Sequence, residues 1–258
     1  VEAETATDET SFDGVDGELR LDNLPLCYEL RAKKAGDSEG TRDAELHFTA
    51  GETSKWALGV GVRFEFPRWS RENYVFMPAA LYNGNRQPAL RGLSYPPRLP
   101  ADAVGMEPEP FISDVPRFKM EGGTRLQLLS GDAAAPMGGF FDPDGGRAFL
   151  CLSESHGDWG EHGWEWVESS DGSSASLLLQ APGVRERRYV FPDMTTDAES
   201  PDRGHRPVKG DTVTIRFRMI ERSCASLEAF FAIVWSERFR YYGEHPVRRE
   251  LPISEAAR

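Results

Sequence analysis

The sequence predicts an all-β protein: a large antiparallel β-sandwich, supersandwich-like or jelly-roll-like, with a short C-terminal helix. Three observations predict it. Runs that alternate apolar and polar side chains recur through the 258 residues, and a period of two marks a half-buried strand. Turn-forming Gly, Pro, Asn and Asp separate these runs at short intervals, as in sandwich folds. A single window, Ser226–Phe239, shifts to the helical period. The strands outnumber those of a minimal immunoglobulin-type domain, which favours a larger sandwich.

Residues 1–17 are acidic and rich in Thr, and read as a loose tail. Leu19–Leu21, Cys27–Ala32 and Glu45–Thr49 alternate in the strand manner. Trp56–Phe66 reads as one long strand ended by Pro67, with Leu58, Val60, Val62, Phe64 and Phe66 on a core face. Tyr74–Phe76 is a short strand of residue types that fit a pleated surface. Tyr95–Val115 is proline-rich and aperiodic, and reads as a long loop over the sandwich.

Strands are expected again at Phe118–Met120 and Arg125–Leu129. Phe140–Leu150 reads as a hairpin around Asp-Pro-Asp-Gly-Gly. Trp164–Glu168, Ala175–Gln180 and Arg187–Phe191 follow. Thr212–Ile220 is the cleanest alternation, with Val213, Ile215, Phe217 and Met219 on one side and Arg216 and Arg218 on the other. Ser226 suits a helix N-cap, and Leu227, Phe230, Phe231, Val234 and Trp235 form an apolar stripe for packing. The organisation read from this is a tail at 1–17, a sandwich at 18–225, and a helix and linker at 226–258 leading towards a further domain.

The net charge of −12 argues against nucleic acid as a partner, because phosphate binding needs a basic surface. No apolar run approaches the roughly 20 residues that span a bilayer, so no membrane partner is expected. Arg185, Arg187 and Arg188 cluster on what reads first as a solvated strand face, and second as an anion site. Cys27, Cys151 and Cys224 lie far apart without metal-ligand spacing, and read as buried free thiols.

Two segments concentrate chemistry. Tyr82-Asn83-Gly84-Asn85-Arg86 joins an aromatic ring, two amides and a guanidinium. A ring face and planar donors and acceptors suit sugar C–H groups, hydroxyls or a uronate. The alternative is a turn in which Asn and Gly supply positive φ and Arg86 pairs with a nearby carboxylate. His156–Trp166 holds two histidines and three tryptophans among glycines. Its candidate sugar contacts are His156, Trp159, His162 and Trp164; the alternative is packing, since Trp164 and Trp166 share a face.

Other chemistries find little support. His156, Asp158 and His162 match no named metal spacing, and Asp142 with Asp144 lacks the calcium-loop pattern. Asp158 and Glu161 would serve as a glycosidase pair no better than many other carboxylates. Nucleotide-binding and nucleophile-elbow motifs are absent. No metal or cofactor is therefore expected.

The order of V-F-M-P-A-A-L-Y-N-G-N-R, F-F-D-P-D-G-G-R-A-F-L, G-D-T-V-T-I-R-F-R and A-S-L-E-A-F-F-A-I-V-W-S-E-R-F resembles the N-terminal β-supersandwich of bacterial glycoside hydrolases. Their catalytic part is a following (α/α)6 barrel. The resemblance implies a non-catalytic module that packs on the barrel domain of the same chain and lends a loop to the sugar cleft. It carries no catalytic residue onto this sequence, because acid and base sit in the barrel. The alternative is a self-contained jelly-roll polysaccharide lyase or carbohydrate-binding module. For a lyase, Tyr82, Asn85, Arg86 and His156 or His162 supply the residue types that neutralise a uronate and move a proton.

Overall fold

A computed structural model describes residues 15–21, 24–35, 40–86, 116–185, 187–188, 198–199 and 202–243. The first strands are β1 Val15–Leu21, β2 Leu24–Lys34, β3 Thr41–Ala50, β4 Val60–Phe66, β5 Tyr74–Met77 and β6 Leu81–Tyr82. The middle of the chain adds β7 Thr124–Leu129, β8 Met137–Asp142, β9 Arg147–Ser153, β10 His156–Gly157, β11 Gly160–Glu161 and β12 Gly163–Glu168. Then come β13 Ala175–Ala181, β14 Arg187–Arg188, β15 Ala198–Glu199, β16 Thr212–Ser223 and one helix, α1 Leu227–Tyr242.

The protein is a β-sandwich with a helix on its outer face. An eight-stranded sheet has the order β1-β2-β3-β16-β9-β8-β5-β6, and a four-stranded sheet the order β4-β13-β12-β7. Among the described residues every pairing within these sheets is antiparallel. Between the sheets lies a core of Val60, Phe64, Phe66, Val75, Phe140, Phe149, Trp166, Val213, Ile215 and Phe217. Phe66 sits edge-on to Phe140 and Phe149, each at 4.9 Å. Alternation along β16 predicted this face, because odd positions point at the small sheet.

Strands β8 and β9 differ from β16. Nearly every residue of both is buried, since their even and odd positions face two different covers. Phe149 and Cys151 face the small sheet. Ala148, Leu150 and Leu152 meet Phe230 and Val234 of α1. The helix begins where expected: the Ser226 hydroxyl accepts from the Ala229 N–H at 3.1 Å. It ends at Gly243, whose positive φ of 72° suits glycine, and whose N–H donates to the Phe239 carbonyl.

A buried carboxylate fixes the helix on the sheet. Glu237 accepts from Arg222 at 2.8 Å, Arg240 at 2.7 Å and Arg218 at 3.3 Å. Arg218 in turn clamps Asp43 of β3 at 2.7 and 3.1 Å. The helix is thus packed against the sandwich from Leu227 to Tyr242.

Several expectations are corrected. The strand expected from Trp56 starts at Val60, because Leu58 bridges to His205 instead and leaves Trp56 in solvent. Val62 is only partly buried. Phe118–Met120 is irregular: the Phe118 N–H donates to the Gly84 carbonyl at 2.8 Å, and its ring is enclosed. Cys27 is exposed, although all three thiols are free as expected. Trp235 leaves the packing stripe and points outward. Val15–Gly17, read as tail, pair with β2. Residues 1–14, 87–115 and 244–258, which carry the rest of the tail, most of the proline-rich loop and the linker, lie outside the described residues, as do Tyr189–Phe191.

Phe217 is fully enclosed between the sheets. Phe217→Ala should therefore destabilise the fold by about 3–5 kcal/mol, read from denaturant unfolding. An unchanged midpoint would show that the two faces of β16 are assigned the wrong way round.

Candidate functional site

The Tyr82–Arg86 turn is built by three successive left-handed residues. Asn83, Gly84 and Asn85 have φ of 53°, 63° and 50°, which Asn and Gly tolerate best. The Asn85 side chain locks the turn. Its Oδ1 accepts from the Tyr82 N–H at 3.1 Å, and its Nδ2 donates to the carbonyls of Ala80 and Pro116, each at 2.7 Å. At Gly84, a Cβ would lie 3.2 Å from the Phe118 ring.

Arg86 points inward. Its guanidinium makes a bidentate pair with Glu168, through Nη1 at 3.0 Å and through Nη2. Nη1 also donates to the Lys119 carbonyl at 2.9 Å, and the guanidinium lies 4.8 Å from the Phe118 ring centre. Glu168 is fully buried and accepts from the Trp69 indole at 2.7 Å. Both reactive-looking side chains of this turn, Asn85 and Arg86, are therefore taken up by the fold. Tyr82 and Asn83 face solvent; the Tyr82 hydroxyl accepts from the Ala79 N–H at 3.1 Å.

The second segment splits in the same way. His156 is exposed. Trp159 is buried and stacks on His205 at 4.6 Å, and His205 reaches Asp211 at 3.2 Å. Trp164 is enclosed, with its indole N–H on the Ser130 hydroxyl at 3.1 Å. His162 is fully enclosed as well. Its Nδ1 lies 2.8 Å from the Glu154 carbonyl, which can only accept, so Nδ1 carries the proton. Nε2 is left without a hydrogen-bond partner, close enough to Gly157 that a Cβ there would approach to 2.9 Å. Burial pushes this imidazole below its ordinary value.

The structure does not bring the two segments together. Arg86 meets β12 at Glu168, whereas the histidine loop enters it at Gly163. Those ends are roughly 16 Å apart at ~3.3 Å per residue. Nor do the residues of the metal reading converge: among the described residues, no His, Cys, Asp and Glu cluster of that kind forms. Asp142 caps its own hairpin, accepting from Gly145 N–H and Arg147 at 2.8 and 2.9 Å. Arg185 pairs with Asp202 and Asp132 at 2.7 and 2.9 Å, so it is held by carboxylates and not open to an anion.

One concavity had no sequence signal. A groove of about 800 Å³ lies beside the C-terminal end of α1. It is lined from β2 by Arg31 and Lys33, from β3 by Glu45, from β16 by Arg216, and by Glu154 and Tyr241. Arg216 bridges Glu45 and Glu154 at 3.0 and 3.5 Å. The Tyr241 hydroxyl donates to the Arg216 carbonyl at 3.2 Å. Burial, then the Glu154 carboxylate, pushes the Tyr241 phenol well up, so it stays a neutral donor. Ser155 lines the groove beside His156, which puts one sequence-selected residue at its border.

No family model matches the chain, and no curated protein matches it. Among solved structures, the Slr1438 protein from Synechocystis sp. PCC 6803 is similar, at 9% identity with a TM-score of 0.41. The match covers 85% of this chain and 65% of that protein, so the chain spans just under two thirds of its length.

Two measurements test this geometry. Arg86→Ala strands a buried Glu168 and should destabilise by about 3–5 kcal/mol; an unchanged unfolding midpoint would contradict the ion pair. His162 is neutral in the native state, and its folded value lies below the ordinary 6.5. Above that pH neither state carries the proton. Below it the unfolded chain binds a proton that the native site resists, so stability falls as pH drops. The melting temperature should decline below about pH 6.5, and less steeply in His162→Gln. Equal slopes would dismiss the buried imidazole as a cause.

Proposed function

We propose that the chain is a non-catalytic β-sandwich module of a glycoside hydrolase, packing on a catalytic (α/α)6 barrel and lending its exposed Tyr82–Asn83 turn to the sugar cleft. One observation carries the reading: the outward side of α1. Trp235 and Phe239, four residues apart and 60% and 52% exposed, share a helix face with the exposed Ala232. The opposite face of the same helix is already sealed against the large sheet.

Large aromatics held outward on a rigid element mark a surface meant for another protein surface, and Trp is a favoured anchor in such contacts. Helices offer ridges and grooves that complement this stripe, which suits a helical barrel. The start of the same helix also lies near the turn singled out in the sequence. The Phe76 ring touches Phe231 at 5.2 Å and Tyr82 at 5.6 Å, and Tyr82 is 51% exposed. Helix flank and turn thus lie on one side of the molecule, where a sugar cleft at a domain boundary would form.

The reading makes two expectations. The 258-residue chain by itself should turn over no polysaccharide; robust hydrolysis abolished by one carboxylate substitution here would overturn it. Trp235→Lys with Phe239→Lys should leave the sandwich folded by circular dichroism yet abolish its association with a partner barrel, read by analytical ultracentrifugation. Association unaffected by the double substitution would remove the docking role.

A further inference from the structure

We propose that the groove beside the C-terminal end of α1 binds a neutral oligosaccharide. The inference rests on the carbohydrate reading above and names the ligand class and a second place where sugar would sit. The groove's volume of about 800 Å³ falls in the upper part of the ~300–1,000 Å³ range of small-ligand sites. Its floor is the outer face of the large sheet, a rigid base for the side chains that stand on it.

Charge decides the ligand class. The lining carries three cationic side chains, Arg31, Lys33 and Arg216, against three anionic ones, Asp43, Glu45 and Glu154. A uronate, phosphate or polyamine gains no net attraction from such a balance. A sugar hydroxyl both donates and accepts, and it finds both partners here side by side. Guanidiniums and the Lys33 amine donate; the half-exposed carboxylates of Glu45 and Glu154 keep lone pairs open.

Two of the cationic groups are paired before any ligand arrives. Arg31 is fixed by Glu29 at 2.6 and 2.8 Å, and Arg216 by Glu45 and Glu154. These two pairs reduce the side-chain freedom that Arg31 and Arg216 would lose on binding. Lys33 lines the groove beside them and adds a third cationic donor. The Tyr241–Tyr242 pair, edge to face at 4.9 Å, lines the helix side with aromatic surface beside these polar groups.

The test is calorimetric titration of the intact chain with neutral hexasaccharides of glucose, xylose and mannose, and with trigalacturonate as the anionic probe. Binding is expected for at least one neutral hexasaccharide and not for trigalacturonate. Lys33→Ala and Glu45→Gln, both on the sheet surface, should each weaken it by about tenfold, the loss of one hydrogen bond to a charged group. Their melting temperatures check that folding is kept. Neutral-sugar binding that both variants leave unchanged overturns the groove assignment. Binding of trigalacturonate alone, or of none of the probes, overturns it too. In each of those cases the module reading is judged separately by the Trp235/Phe239 association experiment, which does not involve the groove.

Discussion

The β8–β9 hairpin has no solvent face, and the rest of the architecture follows from that constraint. A strand with Phe149 and Cys151 on one side and Ala148, Leu150 and Leu152 on the other needs two apolar covers. The four-stranded sheet supplies one and α1 the other. Without the helix, Leu150 and Phe141 would face water and the large sheet would lose the burial that holds its centre. The helix is therefore part of the folding unit, although it follows all the strands it covers.

Two buried carboxylates organise the polar side of this arrangement. Glu237 gathers three arginines and ties α1 to β16. Glu168 gathers Arg86, Arg71 and the Trp69 indole, and ties the chain around residue 70 and the Tyr82–Arg86 turn to the end of β12. A buried charge is tolerated only with its partners in place. Each site thus penalises any packing in which the helix or the turn is displaced, which makes them devices of position as much as of stability.

Patterns local in sequence were legible and patterns across the fold were not. The TVTIRFRMI alternation, the Asp-Pro-Asp-Gly-Gly hairpin and the Ser226 cap each depend on residues within one element, and each appears where it was expected. Positive φ at Asn83–Asn85 was also legible, since Asn and Gly announce it. The destination of Arg86 was not, because its partner lies 82 positions away and nothing in either segment marks the pairing. The same holds for His162 and Trp164: a glycine-rich loop does not say which rings turn inward. Of the residues singled out, Tyr82, Asn83 and His156 keep an open surface. The groove escaped notice because its walls come from β2, β3, β16, the chain after β9 and the end of α1, and only folding makes them neighbours.

The strand order has a temporal consequence. β16, the last long strand, sits between β3 and β9, so it joins the N-terminal meander to the rest of the large sheet. Until residue 223 has left the ribosome, β3 and β9 each present an open edge, and open edges recruit other chains. The two halves of the sheet wait for a strand about 160 positions downstream of β3, a closure that is slow for entropic reasons. Between the synthesis of β3 and that of β16 these edges therefore stay uncapped. Helix α1, arriving directly after β16, seals the outer face almost as soon as the sheet is whole.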